Sequence, residues 1–471
     1  MSVSRRLGQA SLAIVTLLGA AVGACASSGS GEGTESPSPS SSTTTPPTTT
    51  NKTDDPIPDQ PDKAITKDGQ LLFADGAPIV GLDYASGDTK GTTDATGKFT
   101  YEDGNTIKFS LGDMIFGEPK GAAILTPYQL AASVTCDDTD PVKVLVGLLE
   151  TLDQDNNAAN GITLPKVTAG GTAKALIQAT AEEINAFVAA NAPGKTLPAA
   201  ADGLKAFITV FDAEAYTAGG ALEKFAITTA PVRSQGVATD GTNVYFSGNY
   251  GFDITDPVTL ASKKSNALAI PGELMLAGSD HIGDIDVWNG TIYAPIEDSN
   301  GYKHPKIVLY DAASLQAGTQ YDIPTTLQSE GVPWVAVDGP RGFAYMAEWT
   351  TTPVIHVFDL ATMTFKHDIA LSKTLGRIQG GKVYKGLLYF SMDDANKTVG
   401  KIHLATGMVM DLFTINISTI ELEGLVLYPR AADGSMLHTL DIDRSGGKLQ
   451  ANPEYRHFKA TKEPLRWKAC P

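Results

Sequence analysis

Cysteine is scarce in this chain, with 3 in 471 residues, too few for a disulfide scaffold or a multi-cysteine zinc or iron–sulfur site. Basic residues are outnumbered, 36 Lys and Arg against 53 Asp and Glu for a formal net charge of −17. That balance argues against a nucleic-acid partner, because phosphate binding needs clustered cations. No apolar run reaches the roughly 20 residues that a membrane-spanning helix requires. There is no GxSxG elbow, HExxH helix, P-loop or strand-to-helix GxGxxG, so the commonest hydrolase, metallopeptidase and nucleotide-binding chemistries leave no signature. What is plentiful is glycine, 47 residues, which points to many turns and a mainly β architecture. The length suggests roughly two to four domains.

The first 25 residues, MSVSRRLGQASLAIVTLLGAAVGAC, place Arg5 and Arg6 ahead of an apolar stretch from Ala10 to Ala24. Its length fits a signal peptide better than a membrane span. Its end, Val22-Gly23-Ala24-Cys25, resembles the lipobox of bacterial lipoproteins. The resemblance implies cleavage before Cys25, lipidation of that cysteine and anchoring to a bacterial membrane, at the outer membrane or cell surface, through buried methylenes. Residues 26–62 are almost wholly Ser, Thr, Pro, Gly and Asp and read as a disordered linker, too poor in apolar side chains to offset ordering entropy.

From 63 to 135, short apolar alternations and turn signals predict a small β-sandwich module. The phrases GAPIVGLDY and TTDATGKFTY resemble the transthyretin-like or carboxypeptidase-regulatory-like modules of bacterial surface proteins, which implies a spacer without chemistry. Residues 136–226 predict a helical connector, with helices over Pro141–Asp153, Thr172–Ala190 (Thr172 as N-cap) and Gly203–Phe211. Between the first two helices, Asp153, Asp155 and Asn157 alternate as oxygen donors, a pattern suited to Ca²⁺. An EF-hand loop would carry Gly and Glu where Ala158 and Leu164 stand, and a solvated Asn/Asp turn is the competing reading.

The C-terminal half repeats. Gly236, Gly283, Gly331, Gly380 and Gly424 recur at spacings of 44 to 49 residues, each followed by a strand, a tight-turn signal such as Asn289-Gly290, and a second strand. Four repeats add a third strand and a turn ending in Leu or Met: DPVTL, DAASL, DLATM and LATGM. That period matches a β-propeller blade. Residues 227–471 are therefore predicted to form a five-bladed β-propeller, with flanking residues available for a degenerate sixth blade. The segments HIGDIDVWNGTIYAPIED, VPWVAVD and LGRIQGG resemble secreted gluconolactonase-like and phytase-like propellers. This implies fold and an extracytoplasmic compartment but carries over no catalytic motif. In such an oxidising compartment Cys136 and Cys470 are expected to pair.

The repeat alignment converges Gln235, His281, Asp284, Asp286, Glu330, Gln379, Glu421 and Glu423 on one mouth of the propeller channel. Carboxylates with Gln and His atoms suit Ca²⁺ or a polar ligand such as a sugar; the competing reading is a channel lining satisfied by water. Trp288, Trp334 and Trp349 are candidates for either a stacking platform or the core. The favoured reading is a membrane-anchored cell-surface lipoprotein whose propeller binds an extracellular ligand, glycan or protein without catalysis, with calcium as candidate support. The alternative is a propeller hydrolase of the glycosidase, lactonase or phosphoesterase type, with Asp284, Glu330 and Glu423 as acid, base and metal ligands.

Overall fold

Strand Thr66–Ala74 organises the N-terminal part of the computed structural model, which describes residues 65–447 and 451–470. Cys25 and the segments expected to be a signal peptide (1–25) and a linker (26–62) lie outside the described residues. Among the described residues no helix is long and apolar enough to cross a membrane. The described chain is mainly β, in several small, largely antiparallel sheets.

Thr66–Ala74 pairs antiparallel with Lys98–Glu102 and Ala77–Val80, and parallel with Ile124–Leu125. A second sheet joins Met114–Gly117, Lys108–Leu111, Asp83–Ser86 and Thr89–Thr92. Leu71, Phe73, Phe99, Phe109 and Phe116 meet between them. Two such small sheets leave apolar faces uncovered, and the following helices cover them. Asp140–Leu152 buries Val142, Leu145, Leu148 and Leu149, and Ala200–Phe211 buries Phe207 and Phe211, all in the core that holds Phe73 and Phe99. Phe207 meets Phe73 edge-on at 4.9 Å. The segment between Cys136 and Phe211 is thus part of the first body rather than a joint beyond it, and its short strands Ile162–Thr163 and Lys174–Ala175 extend the two sheets.

The second helix begins later than Thr172. It spans Ala181–Asn191, because Thr180 and Glu183 form a reciprocal cap: Glu183 N donates to Thr180 Oγ1 (3.3 Å) and Thr180 N to Glu183 Oε2 (2.8 Å).

Five further sheets follow, each an antiparallel meander. Their first strands are Gly236–Thr239, Asp286–Trp288, Ala336–Asp338, Ile378–Tyr384 and Ile420–Leu427. Each first strand lies beside that of the next sheet, and the fifth lies beside the first, so the five form a closed ring. The fifth sheet is composite: Leu437–Asp443 and Asn452–Lys462 continue it, and Ala215–Ala218, from just after the first body, supplies its outer edge.

The outer turns repeat in detail. Leu260, Leu315 and Met363 are buried with φ of 56°, 61° and 49°, and each backbone N–H bonds the carbonyl four residues back. In the fourth repeat Gly407 (φ 68°) holds this place, one residue ahead of Met408. Its ideal Cβ would stand 1.8 Å from the Ala370 carbonyl oxygen, so only glycine fits.

The chain ends by docking on the first body. In the helix Leu465–Ala469, Leu465 enters the first core, Arg466 Nε donates to Asp212 Oδ1 (2.7 Å), and Trp467 Nε1 donates to the Tyr389 hydroxyl (3.2 Å). Cys470 is disulfide-bonded to Cys136.

Candidate functional site

The centre of the ring is filled. Gly236, Gly380 and Gly424 face inward, and a Cβ on any of them would lie 2.6 to 3.0 Å from an Asp284 carboxylate oxygen. Gly236 stands opposite Ser247 and Gly380 opposite Ser391. The two serine hydroxyls donate to the carbonyls of Gly283 and Glu423 in the next sheets. By that register, Asp284 stands where the fifth sheet carries Gly424. The glycines leave a space on the axis, and the Asp284 side chain occupies it. Its carboxylate accepts from Val237 N (2.9 Å), Gly381 N (3.1 Å) and Lys382 Nζ (2.5 Å). Burial raises this carboxyl to about 7, with the Lys382 ammonium pulling the other way. Asp286 is also buried, accepting from Val287 N and Val337 N at 2.8 Å each, and so ties the second sheet to the third. Neither aspartate is available to a ligand in this arrangement.

The other predicted residues sit where the first strands begin, and most are paired with neighbours. His281 Nε2 lies 2.7 Å from Gln235 Oε1, while its Nδ1 is 3.1 Å from Glu297 Oε1 but misaligned for a hydrogen bond. Glu297 accepts from Val332 N (2.7 Å). Glu330 belongs to the loop ahead of the third sheet's first strand, where it accepts from Thr350 N (2.7 Å). Gln379 Oε1 accepts from Trp349 Nε1 (2.8 Å), and the Arg377 guanidinium stacks on the Trp349 ring at 4.2 Å. Arg377 pairs with Asp393, which also accepts from Lys397 Nζ (2.5 Å) and Leu422 N (3.1 Å). Glu421 pairs with Arg444. Gly424 N donates to Gln235 O (3.0 Å), which closes the circuit.

Glu423 differs from the rest. It is 2 % exposed, and among the described residues nothing hydrogen-bonds or ion-pairs with its carboxyl. Burial, then Glu421 and Asp393, push the carboxyl well above its ordinary range, against the opposing charges of Arg444 and Arg377. A neutral carboxyl in this place is a hydrogen-bond donor as well as an acceptor.

Glu297, Arg377, Asp393, Lys397 and Arg444 were not singled out from sequence. Arg377 stands inside LGRIQGG, two residues before Gln379, and that adjacency was the one available signal. The others come from second strands or connections of neighbouring sheets, which repeat alignment on first strands does not reach. Of the tryptophans, Trp334 is fully buried and Trp288 packs at the far end of its strand against Gly339, leaving Trp349 at the site.

In the Asp153–Asn157 loop the carboxylates serve the backbone. Asp153 accepts from Thr163 N and Asn157 N (2.9 Å each), and Asp155 from Asn157 N (2.9 Å) and Asn160 Nδ2 (2.8 Å). Among the described residues no group of three His, Cys, Asp or Glu is arranged to hold a metal. Two clefts lie elsewhere. One of about 390 Å³ is walled by Tyr216, Phe413 and Phe458, and one of about 190 Å³ lies beside Cys136 and Arg466.

No protein-family model and no curated protein matches this chain.

Proposed function

We propose that the five sheets are the blades of a β-propeller, carried at a bacterial cell surface by a lipidated Cys25, and that the propeller binds an extracellular ligand at the mouth where the first strands begin. The observation that carries this reading is the closed order of the five first strands. That order brings Gln235, His281, Trp349, Arg377, Gln379 and Glu423 to one end of a filled axis. A plugged axis turns the mouth into a floor with side chains around it rather than a tunnel. Binding is favoured over hydrolysis because Asp284 is consumed by the plug and Glu330 by a backbone cap.

Two measurements test the proposal on the full chain. Metabolic labelling with palmitate should mark the protein and lose the mark in Cys25→Ser; an unlabelled wild-type chain removes the anchor. Trp349 fluorescence, assigned by Trp349→Phe, should respond to a member of a panel of soluble glycans and peptides. A panel without a response removes the binding mouth.

A further inference from the structure

We infer that the mouth recognises an acidic saccharide, its ring carboxylate held between Arg377 and Arg444 above Glu423; the inference rests on the propeller-mouth reading. Arg377 spends Nε on the Asp393 carbonyl (2.6 Å) and Nη2 on the Asp393 carboxylate. Arg444 spends Nε (2.7 Å) and Nη2 on Glu421. Among the described residues the Nη1 group of each makes no hydrogen bond, and each side chain as a whole is about two-fifths exposed, 41% and 40%. Asp393 also receives Leu422 N, next to both Glu421 and Glu423. The two guanidinium groups therefore flank one short stretch of strand, and Glu423 lies within electrostatic reach of both while pairing with neither.

A guanidinium with a free N–H is matched to a carboxylate, and a neutral carboxyl adds a donor that an ionised one could not. The backbone at Arg377 is consistent with a residue kept for its side chain. Its φ is 58°, a left-handed conformation that costs a non-glycine residue on the order of 1 kcal/mol, yet it follows Gly376 and is held by Arg377 N donating to Trp349 O (2.5 Å). A saccharide fits the surroundings better than a peptide terminus. The neighbours are an indole and the amides of Gln235 and Gln379, which suit a ring edged with hydroxyl groups rather than apolar side chains.

The test uses the full chain, tri-galacturonate and its methyl ester, which keeps the rings and removes the charge, with binding read by calorimetry. Tri-galacturonate should bind at least tenfold more tightly than the ester. Arg377→Gln and Arg444→Gln should each remove most of that difference, Arg377→Lys should retain part of it, and Glu423→Ala should weaken binding severalfold. Lys263→Gln, on the outer strand of the first sheet, serves as the remote-charge control. Equal binding of acid and ester, abolished in Trp349→Ala, overturns the inference and leaves the mouth reading standing. Tighter binding of tri-alanine than of tri-galacturonate also overturns it. If neither uronate form binds and the wider panel is silent at Trp349, both fall together.

Discussion

Replacing Asp284 by alanine should be among the most damaging single changes in this protein, and the reason is specific enough to be refuted. The substitution strands the Lys382 ammonium, whose side chain is 5% exposed. Removing one partner of a buried pair costs about 3–5 kcal/mol. It also orphans Val237 N and Gly381 N, at roughly 1–3 kcal/mol for each buried donor left unmade. The sum is on the order of 5–10 kcal/mol, comparable with the whole stability of a typical domain. Guanidinium unfolding at pH 8, above the raised pKa of this carboxyl, is the suitable assay because the pair is then charged. Three variants separate the plug from mere burial. Adding Lys382→Met to Asp284→Ala should restore about 2–3 kcal/mol, since the stranded charge is gone. Gly424→Ala alone should cost about 1–3 kcal/mol, because its Cβ would sit 2.6 Å from Asp284 Oδ1. The same Gly424→Ala should cost less in the Asp284→Ala background, although Gly236 Cα at 2.8 Å still limits the gain. If the aspartate and lysine changes add within about 0.5 kcal/mol, the two groups are not coupled and the plug argument is wrong.

Two other consequences can be measured on the same protein. The Cys136–Cys470 bridge closes a separation of 334 residues, so Cys136→Ser with Cys470→Ser should cost up to roughly 6 kcal/mol by chain entropy; an unfolding midpoint unchanged on reduction would contradict this. His438 Nδ1 and His457 Nδ1 meet at 2.8 Å, and His438 Nε2 donates to the Tyr428 carbonyl (3.0 Å). Burial lowers these imidazoles from 6.5 to about 3 and about 4. A depressed folded value means that the unfolded chain binds protons first. Their contribution is therefore complete above pH 6.5 and is lost as pH falls from there toward 4, on the order of 3 kcal/mol for each imidazole. His438→Gln with His457→Gln should flatten that slope, and an unchanged slope would assign the acid sensitivity to other groups.

Legibility followed the range of the signal. The outer turns could be read because DPVTL, DAASL and DLATM place a short-range hydrogen bond and an apolar anchor in five residues. The first-strand glycines were visible as a repeat, but their equivalence was not. Gly283 packs against the Pro333 carbonyl, and it is its neighbour Asp284 that reaches the axis. A glycine count reports that backbone must come close; it does not report what fills the space. The repeat alone therefore directs Asp284 toward a ligand, whereas its environment is set by Val237, Gly381 and Lys382 from other sheets. The same distance in sequence hid Arg377 and Arg444, whose partners Asp393 and Glu421 lie 16 and 23 residues away. The second helix failed for a local reason: Thr172 and Thr180 are both plausible caps, and Glu183 three residues after Thr180 decided between them.

The two ends of the described chain explain why the first body and the ring cohere. Ala215–Ala218 leaves the first body and becomes the outer strand of the last sheet, so that sheet cannot be completed until both ends of the ring segment are present. After Asn452–Lys462 the chain returns to the first body, where Leu465 is buried and Arg466 meets Asp212. Beside them Lys401, from the fourth sheet, ion-pairs with Glu214 and donates to the Asp212 carbonyl, with both side chains fully buried. Buried charges of this kind add little net stability when satisfied but cost several kcal/mol when a partner is missing. Misplacing either end therefore strands Lys401 or Arg466, and the penalty selects the one register in which the fifth sheet closes against the first. The disulfide then fixes a C-terminus that the polar contacts have already positioned, which accounts for a bridge of such long sequence separation joining residues that are neighbours in the fold.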